Sequence, residues 1–120
     1  MDDIPCLDHE RLDVYRCAIE FLRFAIRACA AVPRGDADLR DQLRRAALSI
    51  PLNIAEGSGK TGMADRARFF AIARGSALEC GALVDVLQLT GAVLDLDAHD
   101  AKRLLARIVA MLTRLCRPST

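Results

Sequence analysis

The sequence predicts an all-α protein of four helices, with a kink in the second, that assembles as an oligomer. Three observations carry this expectation. The composition is 52% apolar but only 4% aromatic, with no Trp and four Pro, and Ala, Leu and Arg, all good helix formers, supply most of the rest. Apolar residues recur at steps of three and four in four separate segments, which is the helical period. Breakers punctuate those segments, Pro33 with Gly35 and the glycines at 57, 59 and 62. A chain of 120 residues fits a single domain, here residues 1–120, that buries one core without metal or disulfide.

The first helix is expected to begin after Asp8, a good N-cap, and to stop at Val32-Pro33-Arg34-Gly35. Leu12, Tyr15, Ile19, Leu22, Ile26 and Cys29 form one apolar seam. Val14, Cys17, Phe21, Phe24 and Ala28 form a second, nearly on the opposite side at about 100° per residue. A helix with two seams needs covering twice, more than a four-helix monomer offers. Phe21 and Phe24 are therefore expected at an interface between copies.

The second helix is expected from Asp36 or Asp38, with Leu39, Leu43, Ala47, Ile50 and Ile54 inside. Pro51 lacks the N–H that would reach the Ala47 carbonyl, so the helix should kink there rather than end, because the apolar spacing stays in phase through Ile54. Gly57 is the expected terminator. Ser49, Asn53 and Glu56, at steps of four and three, form a polar stripe beside the kink, read as a structural network rather than a catalytic group. Ser49, Pro51, Asn53, Glu56 and Gly57 are thus architecture.

The third helix is expected over 63–94, with Phe69, Ile72, Ala73, Ser76, Cys80, Leu83 and Val86 or Leu87 as its core stripe. Ala67, Ala71, Gly75 and Ala82 share another, small face with Leu78. Gly75 and Gly81 lower helix propensity unless a neighbouring helix comes close, which places Gly75 at a contact between copies. The fourth helix should follow Asp97, whose spacing to Asp100 gives an acidic first turn suited to the helix dipole. Ala101, Leu104, Ile108, Met111, Leu112 and Leu115 read as its inner face. Arg103, Arg107, Arg114 and Arg117 fall on another face at steps of four, seven and three.

The charge balance, 17 basic against 16 acidic residues for a net +1, gives no global field, so any polyanion partner must be held by a local patch. The arginine stripe is that patch, since residues 101–120 hold five basic residues and no acidic one. Five cysteines include no C-x-x-C pair and no zinc spacing, and no apolar run is long enough for a membrane span. The chain is expected to be cytoplasmic, with reduced thiols, no membrane partner, no cofactor and no small-molecule substrate. The loop Gly57-Ser58-Gly59-Lys60-Thr61-Gly62 fails as a Walker A motif: five residues before Gly59 stands Ile54, and a helix precedes the loop. With four Glu and no E-x-x-H, a dimetal carboxylate site has no ligands.

"LRRAALSIPLNIAEGSGK" followed by "ARFFAIARGSALECGALVDVLQLTG" resembles the bacterial four-helix-bundle family first noticed as reading frames within intervening sequences of large-subunit ribosomal RNA genes. The pattern of that family is matched by Arg44, Arg45 and Ala46, by "SIPLNIAEG" at 49–57, by Phe69 and Phe70, and by Gly75, Ser76 and Glu79. The resemblance covers roughly residues 39–91 and implies an up-down-up-down four-helix bundle that assembles as a ring, commonly a homopentamer. It also extends in fold to the accessory variability determinant of diversity-generating retroelements, which implies RNA or a reverse transcriptase as partner.

Three functions follow as expectations. The leading one is a non-enzymatic oligomeric bundle binding RNA, or a protein–RNA complex, through Arg103, Arg107, Arg114 and Arg117 repeated around a ring. The second is a protein-only scaffold, and the third an enzyme using Glu56 and Glu79.

Overall fold

The computed structural model describes residues 6–117, which form four α-helices and, among the described residues, no strand. A short 3-10 turn, Asp8–Arg11, leads into α1 (Asp13–Ala31). A second 3-10 turn, Arg34–Asp36, leads into α2 (Ala37–Gly59), followed by α3 (Met63–Leu89) and α4 (Asp95–Cys116). Asp8 therefore opens a 3-10 turn rather than the first helix. Glu10 Oε2 accepts a hydrogen bond from the Leu7 N–H at 2.9 Å, and extended Leu12 (φ −83°, ψ 129°) separates that turn from α1. α1 ends at Ala31, two residues before Pro33, and Val32 between them is extended, the conformation that proline imposes on its predecessor.

α2 passes through Pro51 and continues to Gly59. Gly57 is consequently not a left-handed terminator: the one glycine with positive φ among the described residues is Gly91, at 77°. Gly91 ends α3 instead. Its N–H donates to the Gln88 carbonyl at 3.2 Å and the Ala92 N–H donates to the Leu87 carbonyl at 3.0 Å, the paired bonds of a Schellman cap. That cap stops α3 five residues before the expected 94.

The helices touch in cyclic order, α1 with α2, α2 with α3, α3 with α4 and α4 with α1. Neighbours run antiparallel, since Ser76 of α3 meets Ser49 of α2, and Arg74 and Asp85 of α3 meet Thr113 and Lys102 of α4. One core gathers residues from all four, with Phe21, Phe70, Leu43, Ile50, Ile54, Leu87, Ile108 and Leu112 among its fully buried side chains.

The core corrects two expected faces. In α1 the buried seam is Val14, Cys17, Phe21 and Ala28, together with Ala18 and Ala25 and, from the other seam, Cys29. Phe21, expected between copies, is 0% exposed within a single chain, and Phe24 is half-buried against it with ring centroids 5.6 Å apart. The seam left partly uncovered is the other one: Tyr15, Ile19 and Leu22 are half-buried and Ile26 is exposed. In α3 the ring in the core is Phe70, while Ile72 and Val86 of the expected stripe are exposed. In α4, Ala101, Ile108 and Leu112 are buried as the spacing demands, with Leu105 beside them.

Candidate nucleic-acid interface

α4 buries Ala98, Ala101, Leu105, Ile108 and Leu112 on one side. At about 100° per residue, Arg103, Arg107 and Arg114 then fall on the outer side of α4, with Arg117 just past its end, and all four are exposed. Among the described residues none of their guanidinium groups has an ion-pair partner. The remaining basic residue of α4, Lys102, is turned toward α3 and pairs with Asp85 at 2.6 Å. Thr113 fixes the other end of the same contact, accepting from Arg74 Nε at 2.8 Å while donating to the Val109 carbonyl at 2.7 Å.

The stripe divides into two environments. Arg103 and Arg107 stand on one wall of a groove of about 740 Å³ between α1 and α4, floored by Phe24, Ala28, Val93 and Leu104. The same groove carries Arg27 but also Glu20, Asp97 and Asp100, so three carboxylates balance three guanidiniums there. Arg114 and Arg117 lie beyond it, at the end of the bundle where α2 turns into α3. Sequence reasoning found the arginines from their spacing. It missed Glu20, whose place in the groove depends on how α1 packs against α4.

The polar motif of α2 is assembled only in part. Asn53 Nδ2 donates to the Ser49 carbonyl at 2.9 Å and to Ser49 Oγ at 3.0 Å, and Ser76 Oγ of α3 donates to Ser49 Oγ at 2.8 Å. This half-buried chain ties α2 to α3. Glu56 stands outside it, exposed on the surface with its carboxylate 3.6 Å from Lys60 Nζ, because three residues beyond Asn53 fall about 60° short of a full turn and carry it off the α3 side. Gly57 has a different task from the one expected. A Cβ there would meet Phe70 Cε1 at 2.8 Å and the Arg66 carbonyl at 3.2 Å, so the absence of a side chain lets α3 close onto α2. Arg66 locks the turn between them, donating to the Ser58 and Lys60 carbonyls at 3.0 and 3.2 Å. At Gly75, by contrast, a Cβ would meet nothing within 4 Å, so the small face of α3 is not packed against any helix of its own chain.

Cys6 is exposed, and the other thiols are covered at least in part. Cys17, Cys29 and Cys80 are buried. Burial, helped by the charge of Glu79, pushes the Cys80 thiol up to about 12. Burial also raises Cys116, against the pull of Arg74, and protonated thiols are poor nucleophiles and poor ligands. Among the described residues no cluster of His, Cys, Asp and Glu is placed to hold a metal ion, and no helix is long and apolar enough to cross a membrane.

Fold and surface thus define an antiparallel four-helix bundle that turns a row of unpaired arginines outward. Residues 10–114 match the 23S rRNA-intervening sequence protein family, and the chain belongs to that family. No curated protein matches it.

Proposed function

We propose that the protein is a non-enzymatic bundle that assembles into a ring of copies, a homopentamer by the resemblance, and holds RNA on the arginine stripe of α4. The observation that carries the reading is the alignment of Arg103, Arg107, Arg114 and Arg117 on the face opposite the core, without carboxylate partners. One stripe is a weak polyanion site at a net charge of +1, but repetition around a ring multiplies it, since each further contact forms at high effective concentration. Assembly itself is supported by apolar residues left outside the core, among them Ile26, Leu52, Ile72 and Leu78. The resemblance to the retroelement determinant adds a reverse transcriptase carrying its RNA as a partner for the same face. Balanced charge in the α1–α4 groove makes Arg114 and Arg117 the stronger phosphate contacts and Arg103 and Arg107 the weaker.

The test is fluorescence anisotropy with a labelled single-stranded RNA oligomer over a salt series. Binding that weakens steeply with salt is expected, because each neutralised phosphate releases condensed counterion. Replacing Arg114 and Arg117 with Gln should lower both affinity and salt slope without changing the mass of the assembly. Wild-type protein that binds no RNA even at low salt overturns the RNA reading and leaves the scaffold.

A further inference from the structure

Charges of both signs line the groove between α1 and α4, Glu20 and Arg27 from α1 and Asp97, Asp100, Arg103 and Arg107 from α4. Among the described residues none of them makes an ion pair. Asp97 has a local reason for its place, since it stands in the first turn of α4, where its charge suits the positive end of the helix dipole. Glu20 has no such reason. It is exposed inside α1, away from both ends, and Arg16, one turn before it, is turned to Asp13 at 3.6 Å. One turn after Glu20 on the same stripe, Phe24 lines the groove, half-buried, its ring leaning on that of Phe21 with centroids 5.6 Å apart. A carboxylate and an aromatic ring thus share the α1 wall, while Arg103 and Arg107, one turn apart, flank Leu104 on the α4 wall.

A ligand that uses both walls must bring an anion for the arginines, hydrogen-bond donors for the carboxylate and a flat apolar face for the ring. An inorganic anion meets only the first need, and a purely apolar ligand would strip water from the charges without pairing them. A nucleotide meets all three. The groove volume of about 740 Å³ lies within the range of small-molecule sites, and single-stranded RNA is commonly read in this way, its unstacked bases laid on a ring and hydrogen-bonded along their edges. The bases differ in what they offer a carboxylate, which only accepts and does so through two oxygens. Guanine sets two donors side by side, its ring N–H and its exocyclic amine. In adenine and cytosine the amine has an acceptor nitrogen next to it, and in uracil the N–H lies between two carbonyls.

We propose that the α1–α4 groove holds an unpaired guanine of the RNA, its face on Phe24 and Leu104, its two donors on Glu20 and its neighbouring phosphates on Arg103 and Arg107. This rests on the RNA binding proposed above and adds base preference to it. Arg114 and Arg117, outside the groove, attract any RNA, and the groove discriminates.

Anisotropy with three labelled RNA strands tests it: an unstructured uridine-rich oligomer carrying one guanine, the same oligomer with inosine in that place, and the same oligomer with uridine throughout. Inosine keeps the ring N–H and lacks the exocyclic amine. Wild-type protein should bind the guanine strand about tenfold more tightly than the uridine strand, with the inosine strand between them. Glu20→Gln, at an exposed position where circular dichroism should show an unchanged fold, separates base contact from charge. A carboxylate that holds guanine leaves the variant binding all three strands with nearly equal affinity, because the Gln amide presents one acceptor where two stood. A carboxylate that only repels phosphate gives a variant that binds every strand more tightly by the same factor and keeps the wild-type ranking, which overturns the guanine site. Wild-type protein that binds the three strands equally, and loses them steeply with salt, overturns the guanine site and leaves RNA binding standing. Binding to none of them at low salt removes both.

Discussion

The α2–α3 and α1–α4 contacts are both antiparallel helix pairs in one bundle, yet one is sealed and the other gapes. α2 and α3 meet where Gly57 offers no side chain, so the Phe70 ring lies against the α2 backbone, and the Ser49–Asn53–Ser76 hydrogen bonds and the Arg66 clamp hold the rest. α1 and α4 meet across Phe24 and Leu104 with charged residues on both walls, and a groove of about 740 Å³ remains. The difference teaches that apolar content does not decide how closely helices approach: what matters is whether some position lets a large ring reach the opposite backbone, and whether polar side chains find partners across the seam.

The largest effect should separate the two seams through their aromatic rings. Phe70→Ala, at a fully buried ring, is expected to cost about 3–5 kcal/mol in urea unfolding, while Phe24→Ala on the open groove should cost about 1–2 kcal/mol. Equal losses would mean that the groove is closed in solution. Gly57→Val comes next. Its side chain must displace the Phe70 ring or push α3 away, with a loss of about 1–3 kcal/mol read from the same curves. No loss would show that the close approach at Gly57 is dispensable.

Smaller effects sharpen the polar half of the contrast. Ser49→Ala removes the acceptor shared by the Asn53 amide and the Ser76 hydroxyl, for an expected destabilisation of about 1 kcal/mol. Glu56→Ala should change stability by no more than about 0.5 kcal/mol, since the exposed pair with Lys60 is screened by water and mobile. A melting temperature that drops as far for Glu56→Ala as for Ser49→Ala would put Glu56 back into the network.

The four helices were legible because each carries its own three-four rhythm, and the arginine stripe was legible because spacing alone fixes a face. What a helix covers was not. In α1 two seams compete, and only the positions of α2 and α4 reveal that Phe21 goes in and Ile26 stays out. Phe69 and Phe70 stand 100° apart, within the error of placing a stripe by eye, and the ring in the core is the second. Gly57 was read as a local stop because glycine commonly ends helices, yet its reason lies 13 residues away in Phe70, a tertiary fact. Gly91, which does end a helix, lies within the segment that rhythm alone carried on to 94. Glu20, on the opposite wall of the groove from Arg103 and Arg107, was hidden for the same reason as Phe21, since contact across helices has no signature along one.

The 3-10 turn Asp8–Arg11 places His9 beside Gly59 and Lys60 at the end of α2, and α4 runs antiparallel to α3 to finish at that same end. Residues 6 and 117 therefore leave the bundle together, next to the α2–α3 turn, while the two longer connections, 32–36 and 90–94, cap the far end. A purification handle or fluorescent domain joined directly at residue 6 or residue 117 starts from one pole only. If copies assemble, energy transfer between donor- and acceptor-tagged chains would report how they are arranged without a reporter on the arginine face.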